Sequence, residues 1–385
     1  MWEIKKFNDF IKLNRGFDLP NEKMVDGKIP VVASTSIKGY HNQFKIKAPC
    51  VVTGRSGSLG AVQYIAEDCW PLNTSLYVKD FKGSFPKYVY YYLQTMHLEI
   101  YNSGAGVPTL NQNHLHNVRL KVHNVPNQQK IADILSAYDD LIKNNNHRIE
   151  LLVQAAQQIY KEWFVRFHFP GFESAHFSKG IPYGWEVKKI SEIVEVIDGD
   201  RGTNYPNQNE MFDEGYCLFL NAGNVTKNGF DYSRNTFITK DKDSKLRNGK
   251  LNRDDIVITT RGTVGNVALY NSFVPYNNVR INSGMVIVRP INSVTNISFL
   301  YLLLRSSSVQ QLITLFSSGS AQPQLPIKDM KRIKVLIPSI ELLTAFEVVV
   351  KPILDSISSN MAKNQNLIKQ RDLLLPRLMS GKLEV

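Results

Sequence analysis

Cysteine is scarce: Cys50, Cys69 and Cys217 are the only three in 385 residues, isolated and odd in number. That count excludes a disulfide framework and lacks the paired spacing of a zinc site, so buried reduced thiols are expected. Long hydrophobic runs are also missing. None approaches the roughly 18 to 20 residues of a membrane span, and Met1-Trp2-Glu3 does not open a secretory signal, which places the expected location in the cytoplasm with no membrane partner. Acid is short as well, with 34 Asp and Glu against 46 Lys and Arg, a formal charge of +12 that attracts polyanions such as nucleic acid.

Catalytic signatures are absent too. There is no Gly-x-x-x-x-Gly-Lys-[Ser/Thr] loop to hold nucleotide phosphates on backbone N–H groups. There is no Asn/Asp-Pro-Pro-aromatic motif of an amino methyltransferase, and no strand leading into a Gly-x-Gly loop for a methyl donor. The Glu-x-Lys pairs Glu3 to Lys5 and Glu186 to Lys188 have no companion Asp nearby and read as structural. His114 and His116 have no partner at ligand spacing. No catalytic residue, cofactor or metal is expected in this chain.

What is present is a globular composition, 43% hydrophobic and 10% aromatic, long enough for two or three domains. The chain also repeats itself. Trp2-Glu3-Ile4-Lys5-Lys6 returns as Trp185-Glu186-Val187-Lys188-Lys189, an offset of 183. Arg55-Ser56-Gly57-Ser58-Leu59-Gly60 is answered by Arg261-Gly262-Thr263-Val264-Gly265, with the second copy one residue shorter. Asn73 to Leu76 pairs with Asn282 to Met285 at 209; Gly104, Leu110 and Asn145 pair with Gly319, Leu325 and Asn360 at 215. An offset that rises without reversing points to a duplicated domain whose second copy gained loop residues, and the period is far above that of a solenoid.

Within each copy, short apolar runs broken by Gly, Pro and Asn read as strands, such as Ile29 to Ala33, Cys50 to Thr53 and Ile256 to Thr260. A heptad seam follows: Ile131, Leu135, Tyr138, Ile142, Asn145, Ile149, Leu152, Ala156, Ile159 and Trp163. Pro126 stands where that helix should start, and its length would be about 60 Å at about 1.5 Å per residue. The second copy steps through Phe346, Val350, Ile353, Ile357, Asn360, Asn364, Leu367, Arg371, Leu374 and Leu378, with Pro352 expected to kink it. Two such stripes bury one another most simply as an antiparallel coiled coil. Asn145 and Asn360, at equivalent seam positions, would either fix its register or mark a solvated gap.

The expected fold class is α/β (α+β): two similar globules separated by two long paired helices, with pseudo-twofold symmetry. The boundaries are 1–125 and 185–337 for the globules, 126–167 and 338–380 for the helices, and 168–184 for the connector. Arg55 with Ser56, and Arg261 with Thr263, stand in Gly-rich loops after strands; they suit a phosphate or a guanine edge, and equally a tight turn. Lys38, Thr109, Asn111 and Gln112 in the first copy, and Asn224, Gln322 and Gln324 in the second, complete the candidate DNA contacts.

Lys161-Glu162-Trp163-Phe164-Val165-Arg166-Phe167 resembles the end of the first central helix in type I restriction specificity subunits. Arg371-Asp372-Leu373-Leu374-Leu375-Pro376-Arg377-Leu378-Met379-Ser380-Gly381-Lys382-Leu383 resembles that family's C-terminus, and Pro182-Tyr183-Gly184-Trp185-Glu186 its domain opening. The resemblance covers nearly the whole chain. It implies a non-catalytic subunit that reads a bipartite double-stranded DNA target, one recognition domain per half-site. It further implies two methyltransferase (modification) subunits docked on the helices, and restriction/translocase subunits in the full complex. S-adenosylmethionine, ATP and magnesium would belong to those partners. A coiled-coil protein scaffold without DNA specificity is the alternative.

Overall fold

In the computed structural model, which describes residues 2–319 and 323–385, the chain separates into two contact-dense units. The first is Met1–Lys143 with Gln365–Val385, the second Asn144–Asn364. Each therefore takes in part of both long helices.

The first unit is organised by Cys50–Gly54, a strand with every residue buried. Such a strand shows no polar alternation because both of its faces are covered. Val51 packs with Leu76, Val78 and the helix Pro86–Thr95 on one side, whereas Cys50, Val52 and Tyr77 pack with Val32 on the other. The antiparallel sheet runs in the order Lys12–Arg15, Ser75–Asp80, Cys50–Gly54, Val62–Ile65. A three-stranded sheet sets Ile29–Val32 between Ile37–His41, antiparallel, and Trp70–Pro71, parallel. A separate two-stranded ribbon pairs Trp2–Lys6 with Arg119–His123 and leads into the first long helix.

The second unit repeats this order strand for strand. Its four-stranded sheet runs Val194–Asp198, Met285–Pro290, Asp255–Thr259, Val267–Tyr270. Its three-stranded sheet sets Cys217–Leu220 between Phe237–Ile238, antiparallel, and Val279–Ile281, parallel. Its ribbon pairs Glu186–Lys189 with Lys334–Ile337. Ile256 and Ile258 face the helix Ile297–Arg305 and Val257 the opposite side, the alternation seen in the first unit. The helix begins where Asn296 Oδ1 accepts from Phe299 N–H at 3.0 Å, a side-chain cap for an orphan donor.

The long helices run Val125–Phe164 and Ile340–Met379, 40 residues each, and the second continues through Pro352 and Pro376. In the first unit, Ile131, Ala132 and Leu135 pack with Leu375, Leu378 and Met379, and Arg371 Nη1 reaches Asp139 Oδ1 at 2.6 Å. In the second, Phe164 meets Phe346 at 4.7 Å between ring centroids, and Asn145 Nδ2 donates to Asn364 Oδ1 at 2.8 Å. Numbers rise along one helix as they fall along the other, so the segments are antiparallel in both units.

The buried stripe departs from a strict heptad. Ile131, Leu135, Phe346, Val350, Ile357, Asn360 and Leu378 are buried, whereas Tyr138, Ile142, Asn145, Ile149, Leu152, Ile159, Trp163, Ile353, Leu367 and Leu374 are half-buried. Toward the end of the first helix Tyr160 and Phe164 are more deeply buried than Ile159 and Trp163, and in the second Leu354 more than Ile353. A helix of about 3.6 residues per turn drifts against a period of 3.5, which moves the contact line by one residue over about ten turns, close to the length of each helix. Asn145 finds its partner in Asn364, whose Nδ2 donates on to Asn146 Oδ1 at 2.8 Å; Asn360 turns to Ser356 O on its own helix.

Candidate nucleic-acid interface

The first Gly-rich loop is closed by backbone bonds. Arg55 N–H and Ser56 N–H both donate to Thr74 O, at 2.9 and 3.1 Å, and Leu110 N–H donates to Arg55 O at 2.8 Å. Gly57 and Gly60 hold φ of +82° and +86°, a region where a side chain is strained. In the second unit, Thr260 N–H and Arg261 N–H both donate to Gly284 O, at 2.8 and 3.1 Å, and Leu325 N–H donates to Thr260 O at 2.9 Å. Matched bond for bond, Arg55 corresponds to Thr260 and Ser56 to Arg261. The loops are equally long, and the shortening read from the sequence is a one-residue displacement of the arginine. Side chains alternate faces along extended backbone, so the two arginines do not point the same way.

This closure gathers several candidates into one cleft of about 270 Å³, lined by Arg15, Arg55, Thr109, Asn111, Gln112 and Asn113 among others. Lys12–Arg15 positions Arg15 at the sheet edge opposite Leu76. Arg55 is half-buried, its guanidinium 3.5 Å from Asn73 O. Asn111 caps the helix Gln112–His116, its Oδ1 accepting from Asn113 N–H at 3.0 Å. Thr109 Oγ1 donates to Val107 O at 3.0 Å. Gln112 Oε1 is buried and accepts nothing. Its two arginines supply cationic forks suited to phosphate or guanine.

The remaining candidates fall elsewhere. Lys38 is exposed outside the cleft lining, its Nζ donating to Asn21 Oδ1 at 2.7 Å. Arg261 and Thr263 are exposed, and Arg261 bridges Gln324 as Ser56 bridges Thr109. Gln322 lies outside the described residues. Asn224 is 3% exposed; its Nδ2 donates to Asp231 O and Arg234 O at 2.9 and 2.8 Å, and its Oδ1 accepts from Asn221 N–H at 3.0 Å. Asn224 is thus buried with its amide engaged inside its own loop, unlike the exposed Arg261 and Thr263. Arg15 was missed by the sequence reading because nothing local distinguishes it from any strand-end arginine.

At matched positions the second unit carries different chemistry. Asp198 stands where the first has Arg15 and is paired with Arg201 at 3.0 Å. Ile327 stands where the first has Gln112 and packs against the core. A separate cleft of about 280 Å³ in this unit is lined by Lys227, Asn266, Arg305, Gln310 and Gln157 among others. In the loop that follows Val194–Asp198, against the effect of burial, backbone N–H groups of Gly202, Arg247 and Asn248 hold the Asp200 carboxyl below the usual carboxylate range. Glu3–Lys5 and Glu186–Lys188 are ion pairs along their own strands, at 2.6 and 2.9 Å.

The fold is thus copied twice on one chain, with matched loops that carry unlike polar groups. Comparison gives its family. The model of the type I restriction modification DNA specificity domain matches residues 1–154 and 182–368, and the chain belongs to that family. It is 27% identical to the type I restriction enzyme MjaIX specificity subunit of Methanocaldococcus jannaschii, over 100% of this chain and 94% of that protein. It is 24% identical to the HindI specificity subunit of Haemophilus influenzae, over 72% and 71%. The crystal structure of a type I restriction-modification S subunit from M. genitalium shares the fold, with a TM-score of 0.64 at 19% identity, covering 98% of this chain and 96% of that one. The chain is thus a DNA sequence-specificity subunit, a non-catalytic component that assembles with other subunits of a type I complex.

Proposed function

We propose that each unit reads one half of a bipartite duplex target through the major groove, while the paired helices set the number of unread base pairs between the halves. The observation that carries this reading is the divergence just described: one strand order and register, with Arg15, Arg55 and Gln112 in one copy against Asp198, Thr260 and Ile327 in the other. Two unlike reading surfaces imply two unlike words. In the first unit Arg15, Arg55, Ser56, Thr109, Asn111 and Gln112 face the bases and nearby phosphates, with Lys38 on the backbone; in the second Arg261, Thr263, Gln322 and Gln324 do so.

The helices dock two modification subunits, and restriction/translocase subunits join through these. S-adenosylmethionine, ATP and magnesium are bound by the partners, and the complex works in the cytoplasm, where its DNA lies. Among the described residues no helix is long and apolar enough to cross a membrane.

The test is to map methylated adenines in DNA from cells that carry this chain and its modification subunit. A motif of two different words separated by a constant gap is expected; one continuous word, or no motif, would sink the reading. Band shifts should also weaken steeply with salt, since each phosphate contact releases counterions.

A further inference from the structure

In the first unit the recognition domain meets the long helices through two unlike contacts. Ile131 and Leu135 of one helix and Leu375 and Leu378 of the other share an apolar cluster with the domain's Tyr88, Val89 and Leu93. One turn beyond Leu135 the contact becomes polar. Tyr91, 2% exposed on the helix Pro86–Thr95, donates its hydroxyl hydrogen to Asp139 Oδ2 of the first long helix. Asp139 Oδ1 accepts from Arg371 Nη1 of the second long helix at 2.6 Å, and Asp372 Oδ1 accepts from Arg371 Nε and Nη2 at 3.0 and 2.8 Å. Burial, together with the Asp139 carboxylate, pushes the Tyr91 hydroxyl above its ordinary range, so it stays a donor. One polar triad thus ties the domain to both helices.

The second unit meets the same need with carbon. Leu302 holds the place of Tyr91, since Tyr88 and Phe299, fully buried, stand at the same step of their helices. Leu354 and Ala156 hold the places of Asp139 and Arg371, at equal distances from the helix starts Ile340 and Val125. All three are buried in one core cluster and border one small cavity.

The exchange changes what the joint can specify. Apolar contact between Ile131, Leu135 and the domain is non-directional, so it holds the domain against the helices without choosing an angle. Hydrogen bonds are short and angular, and stronger when one partner is charged. We propose that Tyr91, Asp139 and Arg371 are positioning residues, which hold the first recognition domain at one angle on its helices and so fix how many unread base pairs the chain accepts between its two words. This rests on the bipartite reading proposed above. The triad touches no base; it acts through the domain it orients, whereas close-packed side chains seat the second domain.

Band shifts of the full chain with its modification subunit test this, on duplexes carrying the two words found by methylation mapping. The gap is the mapped one, or one base pair more or fewer. Wild type should bind the mapped gap about tenfold tighter than either altered gap, since one base pair turns a word by about 35° around the duplex axis. Tyr91→Phe, which removes one oxygen, and Asp139→Asn, which removes one charge, should bring that ratio to about threefold or below, with base preference inside each word unchanged. The second variant serves should the first not fold. A purely structural role would lower the urea midpoint and weaken all three duplexes alike. That outcome, or the wild-type ratio in the variants, overturns the joint alone. A wild-type complex indifferent to the gap overturns it together with the function on which it rests.

Discussion

The first unit closes a polar cleft around Arg15, Arg55 and Gln112, whereas the second, built on the same sheets, puts Asp198, Thr260 and Ile327 at those points. The helix seams differ in the same spirit. The second unit packs Tyr160, Trp163 and Phe164 against Phe346, and the first uses Ile131, Leu135, Leu375 and Leu378 with the pair Asp139–Arg371. A shared backbone tolerates these exchanges because register is held by main-chain bonds and alternating apolar residues, leaving loop side chains free to vary.

The comparison breaks hardest at the aromatic seam. Phe346 is fully buried among three aromatic rings, so Phe346→Ala should cost about 3–5 kcal/mol in the second unit, read as a lowered urea midpoint with the first unit's transition unmoved.

Acid should then separate the units. His123, its ring tilted against that of Trp2 with centroids 3.7 Å apart and bonded to Tyr88 OH at 3.0 Å, is pushed by burial from 6.5 to about 4, while Pro338 holds the matched place. A depressed folded value means the unfolded chain binds the proton first. Stability is full above pH 6.5 and lost as pH falls toward 4, by about 2–3 kcal/mol at most. Denaturation at pH 7 and pH 4.5 should show the first unit weakening more; equal loss would remove His123 as the cause.

Gln112→Ile, which installs the second unit's residue in the first, should relax base choice in one word by about 1–3 kcal/mol and leave the other word unchanged. Methylation mapping reads this directly, and an effect on both words would contradict one unit per word. Arg371→Ala leaves Asp139 without its cation in the first seam and should cost about 1–3 kcal/mol by the same urea assay. The smallest shift is expected from Asn145→Leu combined with Asn364→Leu. Removing both partners of a partly buried amide pair should move stability by less than about 1 kcal/mol in either direction.

Some of this was legible in the chain. The long helices announced themselves through apolar spacing, and the duplication through ordered matches, because both are written in local sequence. The deeper burial of Phe164 and Leu354 was not, since drift of the helix against a heptad accumulates with length. Arg55 and Arg261 looked equivalent because aligned letters hide a one-residue slip that only the bonds to Thr74 O and Gly284 O reveal. Asn224 looked available because an amide in a Gly-containing loop reads the same whether it faces a base or its own backbone.

The sequence by itself determined that there are two related halves, two long amphipathic helices and an excess of positive charge, all properties of residue type and local period. Only the tertiary structure decided which side chains share a cleft. Arg15, Arg55 and Gln112 are far apart in the chain and meet because Lys12–Arg15, Ser75–Asp80 and Cys50–Gly54 pair out of chain order. Such pairings depend on non-local backbone hydrogen bonds and on which apolar faces can be buried together, and no short stretch of residues encodes them alone.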